Sequence, residues 1–319
     1  MQMQKNGKRG QIGQILSEVK KVIRGKDETI QLVMTAILAK GHILIEDIPG
    51  VGKTTLAIAF SKAMELTERR LQFTPDVLPS DVVGFNMIGS DGQFQYKPGA
   101  IVCNLLLADE INRTSTKTQS ALLEVMEEGQ VTVDGITRQL PKPFVVIATQ
   151  NPVGSAGTQM LPESQLDRFM VRLSMGYPTM DEEMRLVKER QQTNPVKLVR
   201  EIVSKEDVIF MQNEVKEVYV HDEILYYMAK IIDATRSHAM ITLGVSPRGT
   251  LAFADMARSM AYVSGRDYVL PEDVQKVAKS VLAHRLVLNG KAKMSHVTDV
   301  EIIDEIVSKV SAPKIKFGD

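Results

Sequence analysis

The stretch His42–Thr55, HILIEDIPGVGKTT, decides the fold of this chain. A short apolar strand runs into a Gly-Val-Gly-Lys-Thr turn, and a helical pattern follows. Such a turn directs successive backbone N–H groups inward, and the next helix presents its positive end to the same point. We therefore predict a pocket for the phosphates of a nucleoside triphosphate. In it, Lys53 reaches the β- and γ-phosphates and the Thr54 hydroxyl binds Mg²⁺.

One position departs from the strict phosphate-loop pattern G-x-x-x-x-G-K-T. That pattern has glycine where this chain has Asp47. Pro49 and Gly50 still supply the turn. We interpret the loop as a variant that keeps its phosphate-binding role.

Length and composition predict a soluble, cytoplasmic protein. The 319 residues allow two or three domains, and 44% of them are hydrophobic. No apolar run approaches the ~20 residues that span a bilayer, and the polar opening residues 1–11 are not followed by the apolar core of a secretory signal. Cys103 is the single cysteine, so no internal disulfide is expected.

Charge and histidine content argue against two classes of protein. The 39 basic and 39 acidic side chains cancel, whereas a nucleic-acid-binding domain usually carries a basic surface. The five histidines are scattered without the spacing of metal ligands. The sequence therefore gives no sign of a basic nucleic-acid footprint or of a histidine metal site.

The chain up to residue 178 alternates helical patterns with short β-rich runs. Residues 11–40 are predicted helical, with a break at Gly25 and Asp27. Five strands are then predicted at 43–45, 70–74, 105–108, 144–148 and 170–174. Strands that alternate with helices imply a mainly parallel sheet, which binds ligands beyond the carboxyl ends of its strands. The fold class is therefore α/β.

Past Pro178 the pattern becomes helical. Helices are predicted at 181–190, 205–218, 221–236, 247–263 and 271–286, and the tail at 312–319 is predicted to fray. We place a domain boundary near Tyr177–Thr179. It separates an α/β domain at residues 1–178 from a smaller all-α domain at residues 179–319.

A second motif with chemical meaning is Asn104–Asn112, NLLLADEIN. Four apolar or small residues form a buried strand, and Asp109 and Glu110 emerge at its end. We predict that Asp109 completes the shell of Mg²⁺ and that Glu110 activates a water as general base. Alone, such a strand end also describes two solvated carboxylates, but here it lies on the next strand but one after the phosphate loop.

Three further polar residues are candidates for the same site. Asn151 follows the fourth predicted strand and can orient the attacking water, or simply begin a turn before Pro152. Arg168 can pair with Asp167, or project into a neighbouring subunit's pocket to neutralise transition-state charge. Arg248 opens a helix and can reach back over the nucleotide, or be an ordinary surface residue.

Five strings, GVGKT, LLLADEINRT, ATQNP, LPESQLDRF and SPRGTLAFADMARSMA, occur in this order and resemble the MoxR family of AAA+ ATPases. The resemblance extends from about Gly25 to Leu286. It implies that Asn151 is sensor 1, Arg168 the arginine finger and Arg248 sensor 2. It implies Walker A at Lys53 and Thr54, Walker B at Asp109 and Glu110, and ATP with Mg²⁺ as cofactors. By the same resemblance, the nucleotide contacts are Gly50, Val51, Gly52, Lys53, Thr54, Thr55, Ile23 and Arg24.

The family pattern also implies two hairpins. Residues 82–103 match the helix-2 insert, and residues 129–142 match the pre-sensor-1 hairpin with its turn at Asp134-Gly135. The apolar side chains of these segments either contact a client protein or pack beneath their own loops. They are Phe85, Met87, Phe94 and Tyr96.

The resemblance further implies what such a protein does. Family members hydrolyse ATP as ring assemblies, usually hexamers, and are thought to act as chaperones that remodel or activate partner proteins, often ones with von Willebrand A domains. Three alternatives stay open at this point. They are a magnesium-chelatase-like motor subunit, a nucleic-acid-dependent motor and a scaffold that binds nucleotide without hydrolysing it.

Overall fold

The computed structural model describes residues 2–48, 50–90, 92–151, 161–184 and 195–314. The strands are β1 (Ile43–Glu46), β2 (Glu68–Gln72), β3 (Gly84–Ile88), β4 (Phe94–Pro98), β5 (Leu105–Asp109), β6 (Gln130–Val133), β7 (Ile136–Gln139), β8 (Val145–Gln150), β9 (Val171–Leu173), β10 (Ile241–Leu243) and β11 (Val287–Leu288). The helices are α1 (Gln2–Lys20), α2 (Asp27–Leu38), α3 (Lys53–Ala63), α4 (Pro79–Val83), α5 (Thr116–Glu128), α6 (Glu163–Leu166), α7 (Lys205–Lys216), α8 (Asp222–Ser237), α9 (Pro247–Val263), α10 (Pro271–Leu282), α11 (Gly290–Met294) and α12 (Asp299–Lys309). Single 3-10 turns lie at Ile111–Arg113, Pro195–Leu198 and Ala283–Arg285.

Five strands form one parallel sheet in the order β2-β5-β8-β1-β9, which confirms the predicted α/β fold. The register sets Gln72 of β2 beside Asp109 of β5, and Glu46 of β1 beside Gln150 of β8. The carboxyl ends of the strands therefore meet along one edge. β2 lies two residues before the predicted 70–74, because this edge strand is mostly exposed and gives no clear alternation.

The two faces of the sheet support two hydrophobic cores. Ile43, Ile45, Leu105 and Ile147 point to one face and pack with α1, α2, α3 and the helical part of the chain. Leu44, Leu106, Ala108 and Val146 point to the other face and pack with α5 and Phe169. Because side chains alternate along a strand, continuous apolar runs are what a sheet covered on both faces requires.

The carboxyl-terminal part is helical, as predicted, with one short addition. β10 and β11 pair antiparallel within it. α9 begins at the predicted residue because Pro247 occupies its first position and the Ser246 hydroxyl accepts the N–H of Gly249 at 3.1 Å. No helix in the described ranges is both long and apolar enough to cross a membrane.

The domain boundary near Tyr177–Thr179 stays a prediction. The core of the helical part is continuous with α1 and α2. For example, Ser259 Oγ donates to Thr35 O at 2.7 Å, and Gln212 Nε2 donates to Ile37 O at 2.8 Å. Part of the predicted helix 181–190 and part of the tail 312–319 lie outside the described residues.

Both expected hairpins are present as antiparallel pairs, β3 with β4 and β6 with β7. The second turns at Asp134 and Gly135, whose φ angles of 51° and 78° suit a two-residue hairpin turn. Asn86 Nδ2 of the first hairpin donates to Asp134 Oδ2 of the second at 2.7 Å. This hydrogen bond joins the middle of the first hairpin to the turn of the second.

Candidate nucleotide site

Two cavities meet at the carboxyl ends of the strands and share the residues Gly50, Gly52 and Thr55. One has a volume of about 300 Å³ and lies against the connection between α1 and α2, the phosphate loop and the segment after β9. The other has a volume of about 350 Å³ and lies over the ends of β2, β5 and β8. The shared residues make them two halves of one cleft.

Two glycines of the phosphate loop have left-handed backbone conformations. Gly50 and Gly52 have φ angles of 87° and 95°, which a residue with a side chain rarely adopts, and α3 begins directly after them at Lys53. Lys53 Nζ donates to the carbonyls of Asp47 at 2.8 Å and Ile48 at 3.3 Å. Burial lowers the pKa of Lys53, an effect that the carboxylates around it oppose. The lysine thus rests against its own loop.

Asp47, the departure from the strict pattern, has a defined structural role. Its Oδ2 accepts from Ser174 Oγ at 3.1 Å and from the backbone N–H groups of Met175 and Gly176 at 2.6 and 2.7 Å. Its Oδ1 accepts the N–H of Ile48 at 3.0 Å. A buried carboxylate with this many donors is well compensated. Asp47 therefore ties the phosphate loop to the segment after β9.

Asp109 lies at the end of β5 in the second cavity, together with Thr54. Its Oδ1 accepts from Thr149 Oγ1 at 3.0 Å, and its Oδ2 accepts from Arg70 Nε at 2.7 Å. A carboxylate and a hydroxyl in one polar cavity are ligands that Mg²⁺ takes in proteins. Thr54 and Asp109 therefore fit the predicted metal-binding role.

Glu110 lies beside Asp109 in a left-handed conformation with a φ of 55°. The Thr149 hydroxyl, which donates to Asp109, also accepts the Glu110 N–H at 2.9 Å and so links the two residues. The Glu110 carboxylate accepts from Asn151 Nδ2 at 3.0 Å, Gln72 Nε2 at 2.9 Å and Arg113 Nη1 at 2.8 Å.

The electrostatics keep the Glu110 side chain ionised. Burial raises its pKa, but the hydrogen bonds from Arg113 and Asn151 and the charge of Arg113 outweigh burial, so the pKa lies below its ordinary value. An ionised carboxylate accepts hydrogen bonds and does not donate them. Glu110 is therefore in the form that a general base needs.

The first cavity contains several of the nucleotide contacts that the resemblance implies. Ile23, Arg24 and Val51 line it, together with Met175 and the segment up to Pro178. A further constraint comes from Gly25, which has a φ of 69°. A Cβ placed there would lie 1.3 Å from Glu182 Oε1. The cleft wall thus joins the connection between α1 and α2 to residues beyond β9.

Two predicted site residues lie elsewhere. Among the described residues that line the two cavities, neither Arg168 nor Arg248 occurs. Both instead bind Glu127 at the end of α5, Arg168 at 2.6 Å. The alternative partner considered for Arg168, Asp167, is bound by Arg285 at 2.7 Å. The structure therefore separates the two arginines from the rest of the site.

Several site residues were missed by the sequence analysis. Arg70 and Gln72 lie on an edge strand with no motif around them, so the sequence carries no signal for them. Thr149 and Arg113 lie inside the motifs ATQNP and DEINR. Their positions within these motifs, next to other candidate site residues, were the signal that could have identified them.

The sheet order, the glycine turn before α3 and the paired carboxylates at the end of β5 together define a P-loop nucleotide-binding protein. A family model described as "ATPase family associated with various cellular activities (AAA)" matches residues 42–171. A second model, the AAA lid domain, matches residues 233–306.

Similar proteins narrow the class further. The uncharacterized protein YeaC of Bacillus subtilis is 47% identical over 95% of this chain and 95% of its own length. Chaperone MoxR1 of Mycobacterium tuberculosis is 38% identical over 93% of this chain and 81% of its own. A solved structure of a putative ATPase from Cytophaga hutchinsonii superposes with a TM-score of 0.91 at 38% identity, over 98% of each chain. The chain belongs to the MoxR family of AAA+ ATPases.

Proposed function

We propose that this protein hydrolyses ATP to ADP and phosphate with Mg²⁺ and uses the resulting motion, as a ring assembly, to remodel or activate a partner protein. The observation that carries the proposal is the continuous cleft. Gly50, Gly52 and Thr55 line both of its halves. One half offers apolar walls for a nucleoside, and the other offers a lysine, a hydroxyl and two carboxylates for a magnesium-bound polyphosphate.

The residues of the cleft divide the chemistry between them. Lys53 and the N–H groups of the loop bind phosphate oxygens, and Thr54 and Asp109 hold the metal. Bound Mg²⁺ supplies positive charge that stabilises the phosphoryl group during transfer. Glu110 accepts the proton of the water that attacks the γ-phosphorus, as the bond to the ADP oxygen breaks.

The hydrogen bonds around Glu110 decide where its carboxylate lies. Asn151 holds Oε1, and Gln72 holds Oε2. Each amide has a second N–H group and a carbonyl oxygen, and these are groups that can bind a water beside the Glu110 carboxylate. These contacts support the assignment of Asn151 as the residue that positions the attacking water.

The position of Arg168 outside the two cavities of its own chain is an argument for the ring assembly. An arginine outside its own chain's cleft can complete the site of a neighbouring copy, and such an arginine contributes ~10³–10⁵ in rate where it operates. Arg248 lies beside it on Glu127. The sensor 2 role of Arg248 over its own nucleotide needs a movement away from that contact.

The hairpins support a protein client. The structure leaves Phe85, Met87 and Phe94 exposed by 47%, 39% and 75%, whereas Tyr96 packs and donates to Val83 O at 2.6 Å. Arg138, one of the few basic residues in these segments, stacks over the Tyr96 ring at 4.0 Å. Exposed apolar side chains with little free basic charge fit a protein surface better than a phosphate backbone.

The first experiment compares the protein with its Glu110→Gln variant in an ATPase assay with and without Mg²⁺. We expect the wild-type protein to release phosphate only with Mg²⁺. The variant should bind ATP normally and lose ~10²–10⁴ of the rate. A wild-type protein that binds ATP in the assembled state and releases no phosphate would instead favour the non-hydrolysing scaffold.

A second experiment addresses the client. The Glu110→Gln variant loaded with ATP serves as bait for a purified von Willebrand A domain protein, with the Lys53→Ala variant as the matched control. The proposal expects nucleotide-dependent binding to the first variant only. Equal binding to both variants would contradict a client role that depends on ATP.

A further inference from the structure

Arg168 and Arg248 meet on a single carboxylate. Arg168 Nη1 donates to Glu127 Oε2 at 2.6 Å and to Leu123 O at 2.9 Å, and Arg248 Nη2 donates to Glu127 Oε1. Arg168 follows α6 in the α/β part, whereas Arg248 lies in the first turn of α9. Glu127 therefore joins two arginines that come from different parts of the fold.

A second set of contacts fixes the backbones that carry these arginines. Asp167 Oδ1 accepts from Arg285 Nε at 2.7 Å, and Asp167 Oδ2 accepts from Ser246 Oγ at 2.9 Å. Arg285 is buried, and its Nη2 also donates to Phe169 O at 2.7 Å. The residue before Arg168 is thus bound to the cap of the helix that carries Arg248.

With both backbones fixed, Glu127 holds the two guanidinium groups together, and the Leu123 carbonyl is a further acceptor for Arg168. Two positive groups side by side repel each other, and the attraction of both to a carboxylate between them offsets that repulsion. In the described contacts, Arg168 uses only Nη1 and Arg248 only Nη2. The other guanidinium N–H groups stay available for the oxygens of a phosphate.

We propose that Glu127 is a positioning residue that holds Arg168 and Arg248 as a pair for the γ-phosphate bound in the neighbouring copy of this chain. The inference rests on the proposed ring assembly. It adds Glu127 to that function and makes the arginine pair a single unit. Among the described residues that line the two cavities, none belongs to α5, the helix that carries Glu127.

The exposure of the three side chains indicates that their contact serves geometry and not folding. Glu127, Arg168 and Arg248 are exposed by 39%, 31% and 46%. Ion pairs this exposed contribute little to stability, because water screens them and long side chains lose entropy. We therefore expect Glu127→Gln to fold with an unchanged melting temperature.

The experiment mixes two inactive chains. The acceptor chain carries Arg168→Ala and keeps an intact cleft. The donor chain carries Lys53→Ala and keeps both arginines. If an arginine completes a neighbour's site, mixed assemblies regain ATPase activity. Complete absence of recovery in assemblies shown to be mixed would overturn the proposed ring function, and the role of Glu127 with it.

The role of Glu127 is tested by adding Glu127→Gln to the donor. We expect the recovered kcat to fall about tenfold, with the KM for ATP unchanged, because misplaced groups cost rate and not substrate binding. Glu128→Gln in the donor is the matched control, since Glu128 is the next residue of α5 and is exposed. It should leave the recovered activity unchanged.

Placing Glu127→Gln in the acceptor completes the design. A loss that is large in the donor and small in the acceptor supports the proposal. Recovery that is unaffected by Glu127→Gln in the donor overturns the positioning role while leaving the ring function intact. An equal loss from either chain also overturns it, because Glu127 would then act on its own chain's cleft.

Discussion

The carboxylate Oδ2 of Asp47 accepts the backbone N–H of Met175 at 2.6 Å, which fastens the phosphate loop to the chain that leaves β9. Met175 lines the nucleoside half of the cleft. One side chain therefore holds together the two halves that a nucleotide would occupy. The strict phosphate-loop pattern has no counterpart to this contact, because glycine has no side chain.

Asp47→Gly brings the loop closer to the strict pattern, and we expect it to weaken nucleotide binding. The substitution leaves the N–H groups of Met175 and Gly176 without their acceptor, at a cost of about 1–3 kcal/mol in the free energy of unfolding. A loss of ~1.4 kcal/mol in the ordering of the cleft corresponds to about tenfold in the Kd for ADP.

Calorimetric titration with ADP and urea unfolding measure the two effects of Asp47→Gly. Asp47→Asn keeps one carbonyl oxygen as an acceptor and should lose less on both counts. Wild-type affinity in Asp47→Gly would show that the contact with Met175 does not shape the cleft.

Lys53→Ala should abolish binding of ATP and ADP. Lys53 is the basic side chain at the start of α3 whose Nζ lies beside the carbonyls of Asp47 and Ile48, inside the polar half of the cleft. Fluorescence titration with a labelled ADP measures the loss. Lys117→Ala, an exposed change on α5, is the control and should bind as the wild type does.

Arg168→Ala should spare nucleotide binding and reduce hydrolysis by at least ~10² in the assembled protein. The reason is that Arg168 lies outside the cavities of its own chain, so its loss leaves the binding groups in place. Phosphate release at saturating ATP is the measurement. Arg200→Ala changes an exposed arginine elsewhere and is the control, which should keep full turnover. If Arg168→Ala turned over ATP as fast as this control, the finger assignment would be wrong.

Acid should destabilise the protein through His42. This side chain is buried, with Nδ1 accepting from Val146 N at 3.0 Å and Nε2 lying 2.9 Å from Met126 O. Burial lowers the pKa of His42 to about 4, whereas an unfolded histidine titrates near 6.5. The folded state thus favours the neutral ring, so this stabilisation is present above pH 6.5 and is lost as the pH falls towards 4.

The expected loss from His42 is about 2.5 kcal/mol between pH 7 and pH 4.5. Urea unfolding at both pH values, for the wild type and for His42→Asn, measures it. The other titrating groups remain in the variant, so the difference between the two pH dependences isolates His42. Parallel pH profiles would contradict the buried, neutral histidine.

The sequence predicted the central sheet and the phosphate loop because their signals are local. A glycine turn between an apolar strand and a helix, or a buried run that ends in Asp109 and Glu110, needs no knowledge of distant residues. The start of α9 was likewise predicted because Ser246 and Pro247 are adjacent signals. The edge strand β2 was displaced because its exposed side chains carry no pattern.

The remaining features depend on tertiary contacts that a sequence alone does not show. The partners of Asp47 come from Ser174 to Gly176, far along the chain. The sequence around Glu127 carries no signal of a role, and its contacts with Arg168 and Arg248 are visible only in the structure. The roles of Arg168 and Arg248 stay predictions. The boundary between the two domains stays a prediction as well.

The position of Lys53 has a consequence for selectivity among anions. Its ammonium group already has two peptide oxygens as partners, at 2.8 and 3.3 Å. An incoming anion must replace those contacts, so it gains only the difference in interaction free energy between its own contact with Lys53 and the two carbonyl contacts. A polyphosphate offers several charged oxygens at once, so it should gain more from this exchange than a small anion such as chloride. We therefore expect the resting contacts of Lys53 to favour polyphosphates over chloride.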